Sequence, residues 1–177
     1  MAARIRLIAF DVDGTLTPGT LIFGPDGEAY KSFFAKDGLA ISLAHRMGFV
    51  TGLITGRTSD IVKRRQEELH MDFAAMGIKD KVGAMEAVLT QYGLSWEEAA
   101  YMGDDWNDLA LFQKVGLSGA PSDGALEVTS RASFVSHYPG GGGAAREFVE
   151  WIFKRENCWE KAFQTFLRPE GPGALSQ

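Results

Sequence analysis

The sequence predicts an α/β protein: a doubly wound parallel sheet with a β-hairpin flap after the first strand. Two observations carry this. Short apolar runs alternate with amphipathic segments along most of the chain, the pattern of strand–helix units whose sheet is covered on both faces. The alternation is broken once, where GPDG sits between LIF and EAYKSFF. That is turn chemistry flanked by residues suited to strands.

In order, the segments 6–10 (RLIAF), 49–55 (FVTGLIT), 72–75 (DFAA), 99–103 (AAYMG) and 115–120 (VGLSGA) read as buried strands. Amphipathic segments near 37–47, 58–69, 80–92 and 105–114 read as the intervening helices. ASFVS at 132–136 is a further strand candidate. A glycine run at 140–143 follows, then helices expected over 144–155 and 159–166. The Pro/Gly-rich tail from residue 168 is expected to stay mobile unless a partner orders it. Residues 1–155 are read as one domain, with the flap at about 17–33, and 156–177 as a C-terminal helix and tail. In a doubly wound sheet, ligands bind beyond the carboxyl ends of the strands, so the flap overhangs the expected site.

The chain has 177 residues, enough for one well-buried core. Its net charge of −5 argues against a nucleic-acid binder, which needs clustered Lys and Arg. The short KRR at 63–65 reads as a solvated helix face. Cys158 is the single cysteine and reads as an incidental thiol, so nothing points to an oxidising compartment. No apolar run is long enough for a signal-peptide core or a membrane span, and the cytoplasm is the expected location. His45, His70 and His137 are too scattered for a zinc site.

DVDGTLT at 11–17 places Asp11 and Asp13 on one side of a strand end. Two carboxylates this close resist burial, so something must offset their repulsion. After the next strand, Thr55 offers a hydroxyl and Gly56 allows close approach of a backbone N–H. A helix starting near Thr58 would aim its N-terminus at an anion, and Thr58 or Ser59 also suits a helix cap. Lys81 opens a helix, where a cation is unfavourable for the helix dipole; neutralising a phosphate or orienting carboxylates would explain it. GDDWND packs Asp104, Asp105, Asn107 and Asp108 after an apolar run. That exceeds what a cap requires and suits a hard cation, Mg2+ best.

These motifs, in this order over about residues 5–148, closely resemble the haloacid dehalogenase superfamily of phosphohydrolases. The resemblance implies a Rossmann-like fold and Mg2+-dependent phosphoryl transfer through an aspartyl-phosphate. Asp11 would be the nucleophile and Asp13 the general acid, then base. Asp11, the Asp13 backbone carbonyl and Asp104 would hold Mg2+. Thr55 and Lys81 would grip the phosphoryl oxygens. Asp108 would orient Lys81 or a metal-bound water, with Asp105 and Asn107 supporting.

Only the hairpin and one helix separate the first two motifs, and about twenty residues the last two. There is no room for a cap domain. The hairpin, F-x-x-K-D-G around Asp37, ITGR, and the glycine run before AAREF resemble the 3-deoxy-D-manno-octulosonate 8-phosphate phosphatase family. The resemblance implies a homotetramer in which hairpins and C-terminal tails line neighbouring sites, and a sugar-acid phosphate substrate. Arg57 matches the octulosonate enzymes; enzymes acting on 2-keto-3-deoxynononic acid 9-phosphate carry an acidic residue there. Gly142 departs from the arginine usual in the octulosonate group, which keeps the nononate alternative open. A phosphoacceptor receiver domain would use similar residues, but with the phosphorylated Asp on a later strand.

Overall fold

The strand LIAF (β1, Leu7–Phe10) has no exposed residue. A segment apolar on both faces belongs at the centre of a covered sheet, and that is where it lies. A computed structural model describes residues 4–167. From β1 the chain winds outward through β4 (Val50–Ile54) to β5 (Phe73–Ala75). It then crosses back and winds the other way through β6 (Ala99–Met102), β7 (Leu117–Ala120) and β8 (Phe134–Val135). The order is β5-β4-β1-β6-β7-β8, with every neighbouring pair parallel. The winding reverses between β1 and β6, and ligand crevices form at such a reversal. Phe10 pairs with Leu53 on one side and Met102 on the other, so Asp11, Thr55 and Asp104 leave the sheet at one edge.

Alternate residues of β1 face opposite sides. Ile8 and Phe10 join a core with α1 (Ala35–Arg46), α2 (Asp60–Glu68), α6 (Ala144–Arg155) and α7 (Trp159–Leu167). Leu7 and Ala9 join a second core with α3 (Lys81–Tyr92), α4 (Leu109–Phe112) and α5 (Leu126–Thr129). Helix α6 buries Ala144, Ala145, Phe148, Val149, Ile152 and Phe153, a stripe of helical period. Phe148 is fully buried and stacks with Trp151 at 6.1 Å between ring centroids. Truncating such a phenylalanine to alanine costs about 3–5 kcal/mol.

The GPDG segment forms the expected hairpin: β2 (Ile22–Gly24) and β3 (Gly27–Tyr30) pair antiparallel, with a register shift between Ile22 and Phe23. Leu21, Ile22, Phe23 and Tyr30 are exposed on it. Phe33 instead turns inward and packs on the core.

Three expectations need correcting. Residues 105–114 are not one helix but a 3-10 turn at Trp106–Asp108 followed by the four-residue α4. Asp105 and Asp108 cap the turn reciprocally, and short acidic side chains that bond the local backbone compete with regular helix. The helix α5 was not anticipated, and the strand in ASFVS shrinks to Phe134–Val135 at the sheet edge. In KRR, Arg65 is half-buried, its guanidinium over the Phe33 ring. The tail from residue 168 lies outside the described residues. Among those described, no helix is long and apolar enough to cross a membrane.

Candidate active site

At the end of β1 the Asp11 N–H donates to Met102 O (2.8 Å), tying the ends of β1 and β6 together. The Asp11 carboxylate is buried and accepts from Lys81 Nζ at 2.7 Å. Lys81, also buried, donates to Asp108 Oδ1 at 2.6 Å, and the Tyr101 hydroxyl reaches the same oxygen at 2.7 Å. The other Asp108 oxygen accepts from the backbone N–H groups of Asp104 and Asp105. Lys81 can therefore open a helix despite the dipole. Asp80 caps that helix through Gly83 N, and two carboxylates face the ammonium.

Burial pushes the Asp11 carboxyl up to about 6, with Lys81 opposing and Asp108 adding to the rise. Asp104 is pushed up to about 7, first by burial and then by the Asp11 charge, with the Thr15 hydroxyl bond at 2.9 Å opposing. Burial works against the Lys81 ammonium, but Asp11 and Asp108 outweigh it and hold its pKa above the usual lysine range. Tyr101, wholly buried near Asp108 and Asp11, is held far above the usual phenol value and serves as a donor. Carboxylate oxygens of Asp11, Asp104 and Asp108 lie within 4.8 Å of one another. Asp108 spends both oxygens on protein donors, so Asp11 and Asp104 are the better metal ligands. A buried and a half-buried carboxyl whose ionisation is resisted by desolvation and by neighbouring carboxylate charge fit a hard divalent cation.

The loop of the first motif is fitted to this cluster. Gly14 has φ +96°, and a Cβ there would collide with the Asp104 carboxylate. The glycine run packs on the same loop. Gly141 N donates to Thr15 O (2.9 Å), and a Cβ on Gly140 would strike the Gly14 backbone.

Asp13 turns away from the Lys81 cluster. One of its oxygens is held by Lys31 Nζ, and the other lies 3.9 Å from Arg57 Nε. The Arg57 guanidinium stands over the Phe23 ring of the hairpin at 5.6 Å. Thr55 is buried at the end of β4, where its hydroxyl accepts from Arg57 N at 3.5 Å. Nothing in the packing demands glycine at Gly56, since a Cβ there would meet only Ile78 O at 3.6 Å. Ser59 supplies the α2 cap.

Not every residue singled out in the sequence reaches the cluster. Asp105 is exposed and caps the 3-10 turn through Trp106 N (2.8 Å), while Asn107 lies exposed in that turn. Asp37 is buried away from Lys81. Its carboxylate accepts from Gly143 N (3.3 Å) and Arg146 N (2.8 Å), so it anchors the glycine run at the start of α6. Burial raises its pKa to about 6. Conversely, the sequence reading missed Lys31, Thr15 and Tyr101. Thr15 stands inside DVDGT, and a tyrosine in an otherwise apolar buried strand must find a partner for its hydroxyl; both were available signals. Lys31 carries none in one sequence. A cleft of about 960 Å³ lies elsewhere, along α1 and α6 near Phe34, Tyr138, Arg146 and Trp151.

A family model for haloacid dehalogenase-like hydrolases matches residues 65–148. The 3-deoxy-D-manno-octulosonate 8-phosphate phosphatase KdsC of Salmonella typhi is 34% identical over 161 residues, 91% of this chain and 86% of that protein. Among solved structures, the phosphatase of the same name from Moraxella catarrhalis, in complex with magnesium ion, phosphate ion and a KDO molecule, superposes with a TM-score of 0.87. It is 33% identical and covers 92% of this chain and 93% of its own. The cobalt-bound deoxy-D-mannose-octulosonate 8-phosphate phosphatase of Haemophilus influenzae gives a TM-score of 0.86 at 32% identity, covering 91% and 97%. With such similarity across nine-tenths of its length and a sheet of the same fold, the chain belongs to the haloacid dehalogenase superfamily, in the family of the 3-deoxy-D-manno-octulosonate 8-phosphate phosphatases.

Proposed function

We propose that the protein is a Mg2+-dependent phosphomonoester hydrolase acting on a phosphorylated 3-deoxy-2-keto sugar acid, 3-deoxy-D-manno-octulosonate 8-phosphate, through an aspartyl-phosphate on Asp11. The observation that carries the reading is the set of buried Asp11, Lys81 and Asp108 with half-buried Asp104 at the carboxyl ends of β1 and β6. The named activity of the relatives supports the substrate.

Asp11 and Asp104, with the Asp13 backbone carbonyl, would hold the cation. Bound there, it would neutralise charge on the transferring phosphoryl group. An Asp11 oxygen attacks phosphorus, and the ester P–O bond breaks as the Asp11–phosphorus bond forms. Asp13 gives its proton to the leaving sugar oxygen, then takes one from the water that cleaves the aspartyl-phosphate. Lys81 and Thr55 steady the phosphoryl oxygens, with Gly56 N–H beside them. Asp108 and Tyr101 hold Lys81 in place. Arg57, level with Asp13 on the open side, is suited to a bidentate grip on the sugar carboxylate. Both candidate sugar acids carry that carboxylate, and it is the match of Arg57 to the octulosonate enzymes that favours their substrate over the nononate.

Without a cap, a small substrate at this edge would stay wet, and electrostatic catalysis is weaker in water. The apolar hairpin face offers a remedy through burial against other copies of the chain. A homotetramer with hairpins near its axis would close each site with a neighbour.

The test is a turnover screen over phosphorylated sugar acids in Mg2+, with hexose phosphates and nucleotides as controls and Asp11→Asn alongside. Octulosonate 8-phosphate should be preferred, and Asp11→Asn should lower turnover by at least about 10⁴-fold, as removal of a nucleophile does. Equal turnover of hexose phosphates would overturn the substrate assignment; an active Asp11→Asn would overturn the covalent mechanism.

A further inference from the structure

Lys31 is an anomaly on the flap. It follows Tyr30, which is 70% exposed, yet its own side chain is 2% exposed. Burying an ammonium is costly unless it is paired. Lys31 is paired twice, with Asp13 Oδ1 and with Glu28 Oε1 at 2.9 Å. The Glu28 carboxylate is also bonded by the Ser59 hydroxyl, and Ser59 caps α2 by accepting from Val62 N at 3.3 Å. Hairpin, lysine, Asp13 and the start of α2 are joined in one continuous polar chain.

Stability alone does not call for this arrangement. A well-packed apolar residue generally serves a fold as well as a buried ion pair or better. What the lysine does is occupy one oxygen of Asp13 and fix that carboxylate, leaving the second oxygen towards Arg57 on the open side. Resting on the reading of Asp13 as proton donor and acceptor, we infer that Lys31 is a positioning residue for Asp13: the seated hairpin delivers a buried cation that holds the carboxylate in the orientation proton transfer needs. Lys31 touches no reacting atom and acts through Asp13. The hairpin would then be part of the proton-transfer machinery of its own subunit, besides any role in covering a neighbour's site.

The test exploits leaving groups. An alkyl phosphate must have its leaving oxygen protonated, whereas p-nitrophenolate departs without help. Lys31→Met, Asp13→Asn and the double variant are assayed for kcat/KM, which reports the steps through aspartyl-phosphate formation and not its later hydrolysis, on an alkyl phosphomonoester that the enzyme turns over and on p-nitrophenyl phosphate. Lys31→Met should lose roughly 10- to 100-fold on the alkyl ester, the scale of a misplaced catalytic group. The loss on the aryl ester should be smaller by about tenfold or more, since in aspartyl-phosphate formation only the alkyl leaving group needs the Asp13 proton. In the Asp13→Asn background, Lys31→Met should cost less than about threefold on the alkyl ester, because residues acting as a unit are not additive. Equal losses on both esters, or an undiminished cost in the Asp13→Asn background, would overturn the inference, and either would mark Lys31 as structural. If Asp13→Asn discriminates between the esters and Lys31→Met does not, the inference falls alone. If Asp13→Asn does not discriminate either, the assignment of Asp13 falls with it.

Discussion

Lys81 Nζ and Asp108 Oδ1, 27 residues apart in sequence, meet at 2.6 Å in a fully enclosed contact. Asp108 has no exposed surface and divides its two oxygens among Lys81, Tyr101 and two backbone N–H groups. Removing it takes a partner from all four donors, of which Lys81 keeps Asp11. Asp108→Ala is expected to cost about 3 kcal/mol, typical of breaking a buried pair from one side. For a chain of this size that is about 6–12 °C in Tm. Denaturant titration of the metal-free protein, alongside Asp105→Ala, checks this; the exposed Asp105 should cost only about 1 kcal/mol as a lost cap.

Metal and protons should compete for the same oxygens. Asp11 at about 6 and Asp104 at about 7 both lie above the usual carboxylate value near 4. An acid with a raised native pKa binds its proton more tightly folded than unfolded. In the metal-free protein these groups therefore favour the native state at low pH, and that contribution is lost as pH rises from about 4 to about 7. Mg2+ should reverse the trend by stabilising the ionised pair, so its Tm increment is expected to be larger at pH 7.5 than at pH 5.5. Its apparent affinity should weaken by about tenfold per pH unit between about 7 and about 6, where one proton is displaced, and by up to about a hundredfold per unit below about 6, where two are. Calorimetric titration of Mg2+ at several pH values is the measurement. Chelation should stop turnover, and Ca2+ should inhibit because its looser shell disturbs in-line geometry.

Asp37→Ala should damage the protein at a distance from the chemistry. The two backbone donors it satisfies, Gly143 N and Arg146 N, would be left without it at the start of α6. An unsatisfied buried donor costs about 1–3 kcal/mol. Asp37→Asn should not fully rescue, since an amide has one oxygen for two N–H groups on separate carboxylate oxygens. Because Gly141 N bonds Thr15 O, slack in the glycine run should also lower kcat. Thermal melts and steady-state kinetics on both variants test this.

The exposed residues Ile22 (47%) and Phe23 (61%) predict association of the hairpin with other copies. Sedimentation at assay concentration should show a tetramer, and Ile22→Asp with Phe23→Asp should dissociate it and raise KM. An efficient wild-type monomer would refute the arrangement.

How much of this was legible depended on whether a residue's job is local. The apolar runs marked every strand of the sheet, because burial on both faces leaves a continuous hydrophobic signature in β1, β4 and β6. The GPDG turn marked the hairpin, because turn chemistry is a property of adjacent residues. Asp11, Asp13 and Asp104 could be located because carboxylates at buried strand ends need an external reason to be there. The 3-10 turn at Trp106–Asp108 was misread as regular helix, because its reciprocal caps depend on how side chains fold back on the backbone. Asp37 was legible as part of a motif, but its task is set by the N-terminus of α6, more than a hundred residues further on. Lys31 was illegible altogether. A lysine on a hairpin is ordinarily a solvated charge, and only the folding of the flap against α2 encloses it between Glu28 and Asp13. The sequence by itself determined which chemistry-bearing groups sit at the strand ends. The tertiary structure decided which of them touch, because a buried charge takes its role from the partners that enclose it.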